Sequence, residues 1–331
     1  MGMRHALRVL SREKTFAAFA ILTLALGIGA VTTMFTVVEG VLLKPLTYKE
    51  PGRLFAAAES ARQLASIPRL PVNAAHFRSW QEQCHSCESG ALVNPATFNL
   101  TGEGEPEQIE GATCTWPLFQ VLGVKPQLGR TFVESDDQPG ANKFVVVSDS
   151  LWRRRLGADP GAVGKTIRID DEPHTVVGVL RPDFRFPSGE QVGPLNQFPR
   201  RTEIFKPMGF NWAKLRRVGQ FNFAALIRLK PGANPARAEA EMTTAVADAG
   251  HDMRIELRAH LVPLQEQVTG GARAALTLLL TAVGVVLLIV CVNIGNLMLV
   301  RANNHARDAA IRRALARAPA TYSGPLSQRA C

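Results

Sequence analysis

Along the chain, two long apolar runs stand apart from a middle stretch in which hydrophobic positions come only in short groups. Residues 15–38 are 24 in a row without a charge, and residues 274–300 are 27. A bilayer core of roughly 30 Å is crossed by about 20 helical residues, so the pattern predicts two transmembrane helices. A cleaved secretory signal is the competing reading of the first run. Its apolar part outruns the roughly 7 to 15 residues of a signal core, and no small-residue cleavage pattern follows, because Glu39 to Lys44 resumes an amphipathic pattern. Ahead of it Met3, Ala6, Leu7 and Leu10 share one helical face and Arg4, Arg8 and Arg12 another, as in a helix lying on the inner membrane surface or a simple basic flank.

Between the runs the pattern is mixed. Strands are predicted at 144–147, 166–169, 175–179 and 221–229, where β-branched and aromatic residues stop at turn formers such as Asp170-Asp171 and Pro231-Gly232. A helix is predicted from Asn234 as N-cap, with Pro235 in its first turn, to near Gly250. Others are expected over about 72–83 and 151–156. The Pro-, Gly- and Phe-rich residues 181–201 read as a long surface loop or the edge of an inserted subdomain. The fold class is therefore a membrane protein of α+β type, with two transmembrane helices flanking a mixed α+β extracytoplasmic domain. Its expected parts are a cytoplasmic amphipathic segment (1–14), a first span (15–38), the outer domain (39–273), a second span (274–300) and a cytoplasmic segment with a C-terminal tail (301–331).

Charge sets the orientation. The formal net charge of the chain is +10, and residues 1–14 and 301–331 hold ten basic residues against two acidic ones. Basic residues beside a span stay in the cytoplasm, which puts both termini inside and the intervening domain outside. A nucleic-acid binder would need its charge as a stripe on a folded surface, not beside apolar spans, so no nucleic-acid partner is expected.

Candidate chemistry adds little. Gly164-Lys165-Thr166 resembles the end of a phosphate-binding loop, but Asp159 stands where the first Gly belongs and a strand follows instead of a helix. Cys84 and Cys87 have the spacing of half a zinc site or of a redox pair, and two thiols or a disulfide formed outside the cell are the plainer readings. The seven histidines show no Ser, Cys or carboxylate arrangement. Asp136-Asp137 and Asp170-Asp171 read as solvated loop ends rather than as cation ligands. In the second span Asn293 and Asn296 share a face with Gly295 beside them, and polar groups in hydrocarbon seek a neighbouring helix.

Several segments, in order, resemble bacterial MacB/FtsX-like permeases of ATP-binding-cassette transporters. They are Ala25-Leu26-Gly27-Ile28-Gly29-Ala30, Val41-Leu42-Leu43-Lys44-Pro45-Leu46 and Pro51-Gly52-Arg53-Leu54, then Asn99-Leu100-Thr101-Gly102, Phe119-Gln120-Val121-Leu122-Gly123-Val124 and Leu128-Gly129-Arg130. Leu151-Trp152-Arg153-Arg154-Arg155, Val176-Val177-Gly178-Val179, Arg228-Leu229-Lys230-Pro231-Gly232 and Val290-Cys291-Val292-Asn293-Ile294-Gly295-Asn296-Leu297 complete the set. The likeness runs to about residue 316. Its last stretch, from Arg307 to Leu315, is similar to the family's coupling segment, with Asp308 in the place of the usual Glu. As a helix it sets Asp308 and Arg312 one turn apart. Beyond it the sequence departs from the family, as an N-terminal piece with a frameshifted tail would.

The resemblance implies a permease subunit of the bacterial cytoplasmic (inner) membrane with a MacB-like periplasmic core domain. It would couple ATP hydrolysis by a cytoplasmic ABC ATPase partner to motion of the outer domain, for efflux, without a cofactor, metal or covalent chemistry of its own. Arg307, Asp308, Ile311, Arg312, Arg313 and Leu315 are its candidate ATPase-coupling residues, and Gly27, Gly29, Asn293, Gly295 and Asn296 its candidate helix contacts. Membrane lipid and a second copy or permease half are the further expected partners. The alternative is an FtsX-like mechanotransmission subunit regulating an extracytoplasmic hydrolase.

Overall fold

A computed structural model describes residues 14–38, 46–64, 66–102, 104–189 and 191–316. The expected amphipathic segment (1–13), most of Val41-Leu42-Leu43-Lys44-Pro45-Leu46 and the tail from Arg317 lie outside the described residues. The chain separates into two compact units, one from Lys44 to Gly271 and one joining Met1–Leu43 to Ala272–Cys331.

In chain order the elements begin with α1 (Lys14–Val38), β1 (Leu54–Ala61), β2 (Val72–Asn73), α2 (Ala74–Gln83), β3 (Cys87–Thr101), β4 (Glu107–Cys114) and α3 (Leu118–Leu122). There follow β5 (Leu128–Gly129), β6 (Phe144–Val147), α4 (Asp149–Arg155), β7 (Thr166–Ile169), β8 (Glu172–Val179) and β9 (Ile204–Pro207). The last are β10 (Phe221–Leu229), α5 (Pro235–Ala245), α6 (Ala247–Met253), β11 (Leu257–Pro263) and α7 (Leu264–Ala316).

The strands lie in the order β11-β1-β10-β3-β4-β9-β6-β8-β5, with β2 on β10 and β7 on both β3 and β8. Because β7 joins β3 to β8, the path β3-β4-β9-β6-β8-β7 closes into a six-stranded ring. The strands β11, β1, β10 and the start of β3 form an open antiparallel sheet. The long strand β3 belongs to both, pairing through Cys87–Val93 with β10 and through Val93–Leu100 with β4.

Successive strand residues point to opposite faces, and the cores follow that rule. Leu54, Ala56, Ala224 and Leu226 feed a central core around Phe119 and Phe205, while Phe55, Ala57, Ala225 and Ile227 feed a second one with Phe77 and Trp80 of α2 and Met242 of α5. Val145, Val147, Val176, Val179 and Ile204 form a third core with Leu151 and Trp152 of α4, and Val146, Val177 and Phe205 point from the same strands into the central one.

Expected and observed elements differ in instructive ways. The strands at 144–147, 166–169 and 221–229 are as predicted, and 175–179 is the second half of β8. Asp170 and Asp171, at φ 50° and 65°, make the two-residue turn of the β7–β8 hairpin, a conformation aspartate tolerates. The helix starting at Pro235 ends at Ala245, and α6 continues to Met253 with Gly250 inside it, where the missing Cβ admits the Ile255 carbonyl. Residues 181–201 are not a surface loop throughout, since Phe186, Val192 and Phe198 plug the central core.

In the other unit, Leu276–Asn296 of α7 is a segment long and apolar enough, by length and composition, to cross a membrane. The apolar part of α1, Ile21–Thr36, is shorter. Of the two expected spans, then, one has full length among the described residues and the other has a shorter apolar stretch.

Candidate functional site

The outer unit is held at its chain crossings by a collar of polar contacts. The backbone N–H of Leu46, where the chain arrives, donates to Gln265 Oε1 at 3.2 Å, where β11 gives way to α7. Gln191 Nε2 reaches the Val268 carbonyl at 3.2 Å, and the Tyr48 hydroxyl donates to the Arg185 carbonyl at 2.6 Å. Burial pushes the Tyr48 phenol well above its ordinary range, so it remains a donor. Leu264, the first residue of α7, is fully buried in the central core. The helix therefore starts as part of the folded outer unit and continues without a break to Ala316.

Arg228 of β10 anchors the incoming chain. It is 4 % exposed, and its guanidinium donates from Nε to the Val121 carbonyl (2.7 Å), from one terminal nitrogen to Lys49 (2.7 Å) and from the other to Glu50 (3.5 Å). Each of its three nitrogens thereby has a carbonyl acceptor, which offsets part of the cost of burying the fork. Burial and the neighbouring Arg53 pull its pKa down, but an arginine so placed stays charged. Arg53 in turn donates from Nε to the Leu229 carbonyl and pairs with Glu50 and Glu88. Two of the recognised motifs, Pro51-Gly52-Arg53-Leu54 and Arg228-Leu229-Lys230-Pro231-Gly232, are thus one clamp. Two more also meet. Gly129 and Gly178 face each other across β5 and β8, and a Cβ on Gly178 would collide with the Arg130 carbonyl.

The helical unit places its predicted residues differently. Gly27 is buried, and a Cβ built there would touch Val290 and Leu287 at 3.5 and 3.6 Å, so α1 packs against α7 at this point. Gly29, Asn293, Gly295 and Asn296 are exposed. Thr36 and Thr281 return their hydroxyls to the carbonyls of Thr32 and Thr277, each at 2.9 Å, as polar groups in apolar helices must. Residues 307–315 continue α7 as helix, with Arg307 exposed. The side chains of Asp308, Ile311, Arg312, Arg313 and Leu315 lie outside the described residues.

Sequence reading missed the histidine arrangements because their partners are distant in the chain. His76 of α2 is 1 % exposed; its Nδ1 lies 2.8 Å from Glu59 Oε2 and its Nε2 donates to the Arg217 carbonyl at 2.8 Å. Glu59 Oε1 accepts from the N–H of Asn73, whose own side chain caps α2. His260 Nε2 lies 2.7 Å from Ser60 Oγ and its Nδ1 3.6 Å from Glu239 Oε1. Hydroxyl, imidazole and carboxylate thus stand in order, an arrangement that the sequence does not display. The carboxylate is, however, beyond hydrogen-bond reach of the ring, and its other oxygen accepts from Leu261 N–H at 3.0 Å. With Thr243 Oγ1, which accepts from Ala259 N–H at 3.1 Å, Glu239 covers donors on the free edge of β11 beside a cleft of about 1220 Å³. Exposed strand edges are commonly blocked in this way.

Geometry bears on the cysteine and aspartate pairs. Of the readings open for Cys84 and Cys87, the structure has the disulfide, which closes the turn from α2 to β3. Asp136 and Asp137 are not solvated loop ends. They are 3 % and 5 % exposed, because Asp136 pairs with Arg130 and accepts from Val133 N–H, while Asp137 accepts from Trp116 N–H (3.0 Å) and Gly209 N–H (2.7 Å). Burial holds the Asp137 carboxyl above the usual carboxylate range. Asp170, by contrast, is an exposed turn residue, as expected, and takes hydrogen bonds from Asn99.

Residues 17–245 match the MacB-like periplasmic core domain family. Over 200 residues the chain is 30 % identical to the macrolide export ATP-binding/permease protein MacB of Chromobacterium violaceum, covering 60 % of this chain and 29 % of that protein. Over 139 residues it is 32 % identical to the MacB of Neisseria meningitidis, covering 40 % of this chain and 19 % of that protein. The chain therefore spans less than a third of these relatives, and the alignment leaves most of their length, including an ATP-binding part, without a counterpart here. The crystal structure of the periplasmic region of MacB from Actinobacillus actinomycetemcomitans is 13 % identical, with a TM-score of 0.47, and covers 74 % of this chain and 98 % of that one. On the extent of the sequence match, the chain belongs to the MacB-like periplasmic core domain family.

Proposed function

We propose that the chain acts as a permease subunit in the bacterial inner membrane, with α1 and α7 as spans, both termini cytoplasmic and the Lys44–Gly271 unit in the periplasm. A cytoplasmic ABC ATPase engages the Arg307–Leu315 end of α7, and hydrolysis displaces that helix. One observation supports this reading above the rest: α7 starts in the central core at Leu264 and is unbroken to Ala316. A helix that begins in a packed core and ends in the candidate docking segment is an element through which motion can pass. The collar at Leu46–Gln265 and the Arg228 clamp would carry that motion into the sheet. Direct chemistry is not needed, because the work is mechanical. A second copy or permease half, rather than lipid alone, would cover Asn293 and Asn296.

The names of the relatives make a macrolide the first cargo to test. Cells lacking the gene, and cells carrying Ile311→Glu, are expected to accumulate several-fold more labelled macrolide than the parent. Unchanged accumulation with altered cell-wall turnover would replace export by regulation of an outer hydrolase.

A further inference from the structure

The carboxyl ends of β6 and β8 open a second cavity, of about 350 Å³, that nothing above uses. These two strands are parallel neighbours, and such ends leave a crevice where the chain departs in different directions. Here it departs into α4 on one side and into residues 181–186 on the other, and the wall is completed by residues 200–202 leading to β9. The cavity is at the small end of the range for ligand pockets, larger than a bare ion needs.

Its lining is strongly basic. Arg181, Arg185, Arg200 and Arg201 all border it, against Asp149 as the one carboxylate in the wall. Asp149 is already engaged by Arg153 (2.7 Å) and Gln127 (2.8 Å), and Arg181 is engaged by Asp183 at 3.0 Å. Arg185 is fixed instead by two carbonyls, those of Pro182 and Phe184, each at 2.8 Å, which orient its guanidinium without neutralising it. Arg200 and Arg201 make no ion pair among the described residues. Three guanidinium groups therefore border the cavity without an ion pair among the described residues, although Arg185 also lies within the field of Asp183.

The hydroxyls add an independent observation. Ser150 donates to Glu203 Oε1 at 2.9 Å, and Glu203 is also held by Arg154. Ser148 caps α4 by accepting from Leu151 N–H and lies 2.9 Å from Ser150 Oγ, so both serines are committed. Thr202 is not. It lines the same cavity, is 8 % exposed, and its Oγ1 has no hydrogen-bond partner. A buried hydroxyl left unpaired is costly and rare; its oxygen is closed to the cavity as it stands, and rotation about χ1 would turn it toward a bound acceptor. Phe184 and Phe186 give the cavity an apolar side continuous with the central core.

We propose that this cavity binds a phosphate ester, with Arg185, Arg200 and Arg201 on the phosphate oxygens, Thr202 Oγ1 donating to one of them after rotation about χ1, and an apolar substituent against Phe184 and Phe186. Guanidinium forks match phosphate geometry. The site stands apart from the proposed ATPase coupling, and neither reading falls with the other.

The test is calorimetric titration of the full chain in phosphatidylcholine nanodiscs with two probes: phenyl phosphate for a free ester, and dihexanoyl-phosphatidylglycerol below its micelle concentration for a lipid headgroup. Saturable binding of either is expected, weakened about tenfold or more by Arg200→Gln with Arg201→Gln. Arg62→Gln, on an exposed arginine outside the cavity, should leave it unchanged. Thr202→Val should weaken binding while leaving the thermal midpoint of the free chain unchanged or higher, which a purely structural threonine would not do. Preference for one probe identifies the source. No saturable binding of either probe, or binding indifferent to the arginine and threonine variants, overturns the proposal.

Discussion

The two units of this chain solve opposite solvation problems with the same alphabet. In the Lys44–Gly271 unit the large apolar side chains turn inward: Phe77, Trp80, Phe119, Phe132 and Phe205 are at most 1 % exposed. In the helical unit they turn outward, with Leu26, Leu278, Leu288 and Leu299 between 65 % and 73 % exposed. Water would penalise the second arrangement by about 25 cal/mol for each Å² of apolar surface, whereas lipid tails or a neighbouring helix would not. The outer unit is thus stabilised by its own contacts, and the helices depend on what surrounds them.

The strongest way to break this comparison is to truncate one large side chain in each unit. Phe119 touches Phe132, Phe184 and Phe205 with ring centroids 5.3 to 6.3 Å apart. Phe119→Ala should cost the outer unit about 3–5 kcal/mol. Leu278→Ala should leave the unfolding of that unit within about 0.5 kcal/mol of the parent. Denaturant titration of the full chain in detergent, followed by tryptophan fluorescence, checks both; Trp80, Trp116, Trp152 and Trp212 all lie in the outer unit. A comparable loss from Leu278→Ala would show that the two units unfold together.

The same contrast explains what could be read from the sequence. Three strands emerged with their bounds because their ends carry turn chemistry, as at Asp170-Asp171 and Pro231-Gly232. The strands β1 and β11 did not. The Leu54–Ala61 strand is buried on both faces and rich in alanine, so it shows neither alternation nor strong β propensity. Residues 181–201 looked like a loop because their apolar residues follow no period, yet Phe186 and Phe198 pack with rings 5.3 Å apart. The histidine pairs and the Arg228 clamp depend on strand pairing between residues up to 200 positions apart, which no local pattern carries. The recognised motifs nonetheless marked the right places, since Arg53 and Arg228 fall in two of them.

Oxidation sharpens the comparison next. The disulfide at Cys84–Cys87 spans a sequence separation of three, and a loop that short contributes about 2 kcal/mol in the chain-entropy picture. Replacing both cysteines by serine should lower the stability of the outer unit by about that amount. Reductant should have the same effect on the parent and none on the double variant. Cys291 of α7 is free and exposed, so labelling by a lipid-soluble maleimide should be insensitive to reductant pretreatment.

Within the helical unit the sensitive position is Gly27. An added methyl would meet Val290 and Leu287 at ordinary contact distance, so Gly27→Ala should be tolerated. Gly27→Leu overfills the crossing, at a cost of about 1 kcal/mol or more, and should widen the α1–α7 separation by about 2 Å. Pulsed electron resonance between spin labels on the two helices reads that distance. An unchanged distance in the leucine variant would mean that the helices do not meet there.

The last expected effect is a proton. His174 of β8 is 1 % exposed; its Nδ1 donates to the Glu172 carbonyl at 3.0 Å, which leaves Nε2 unprotonated, buried and without a partner. Burial lowers its pKa from the ordinary 6.5, helped by Lys206 and Lys143 and opposed by Glu172. A histidine depressed in the folded state contributes its stability fully above the unfolded value. As pH falls below 6.5 the unfolded chain binds a proton that the folded chain refuses, and stability declines until the folded pKa is passed. The slope from one such group is at most about 1.4 kcal/mol per pH unit. His174→Gln should flatten that part of the stability profile between pH 6.5 and 5, as measured by denaturant midpoints. A variant whose profile still matches the parent would mean that His174 is not the group that titrates there.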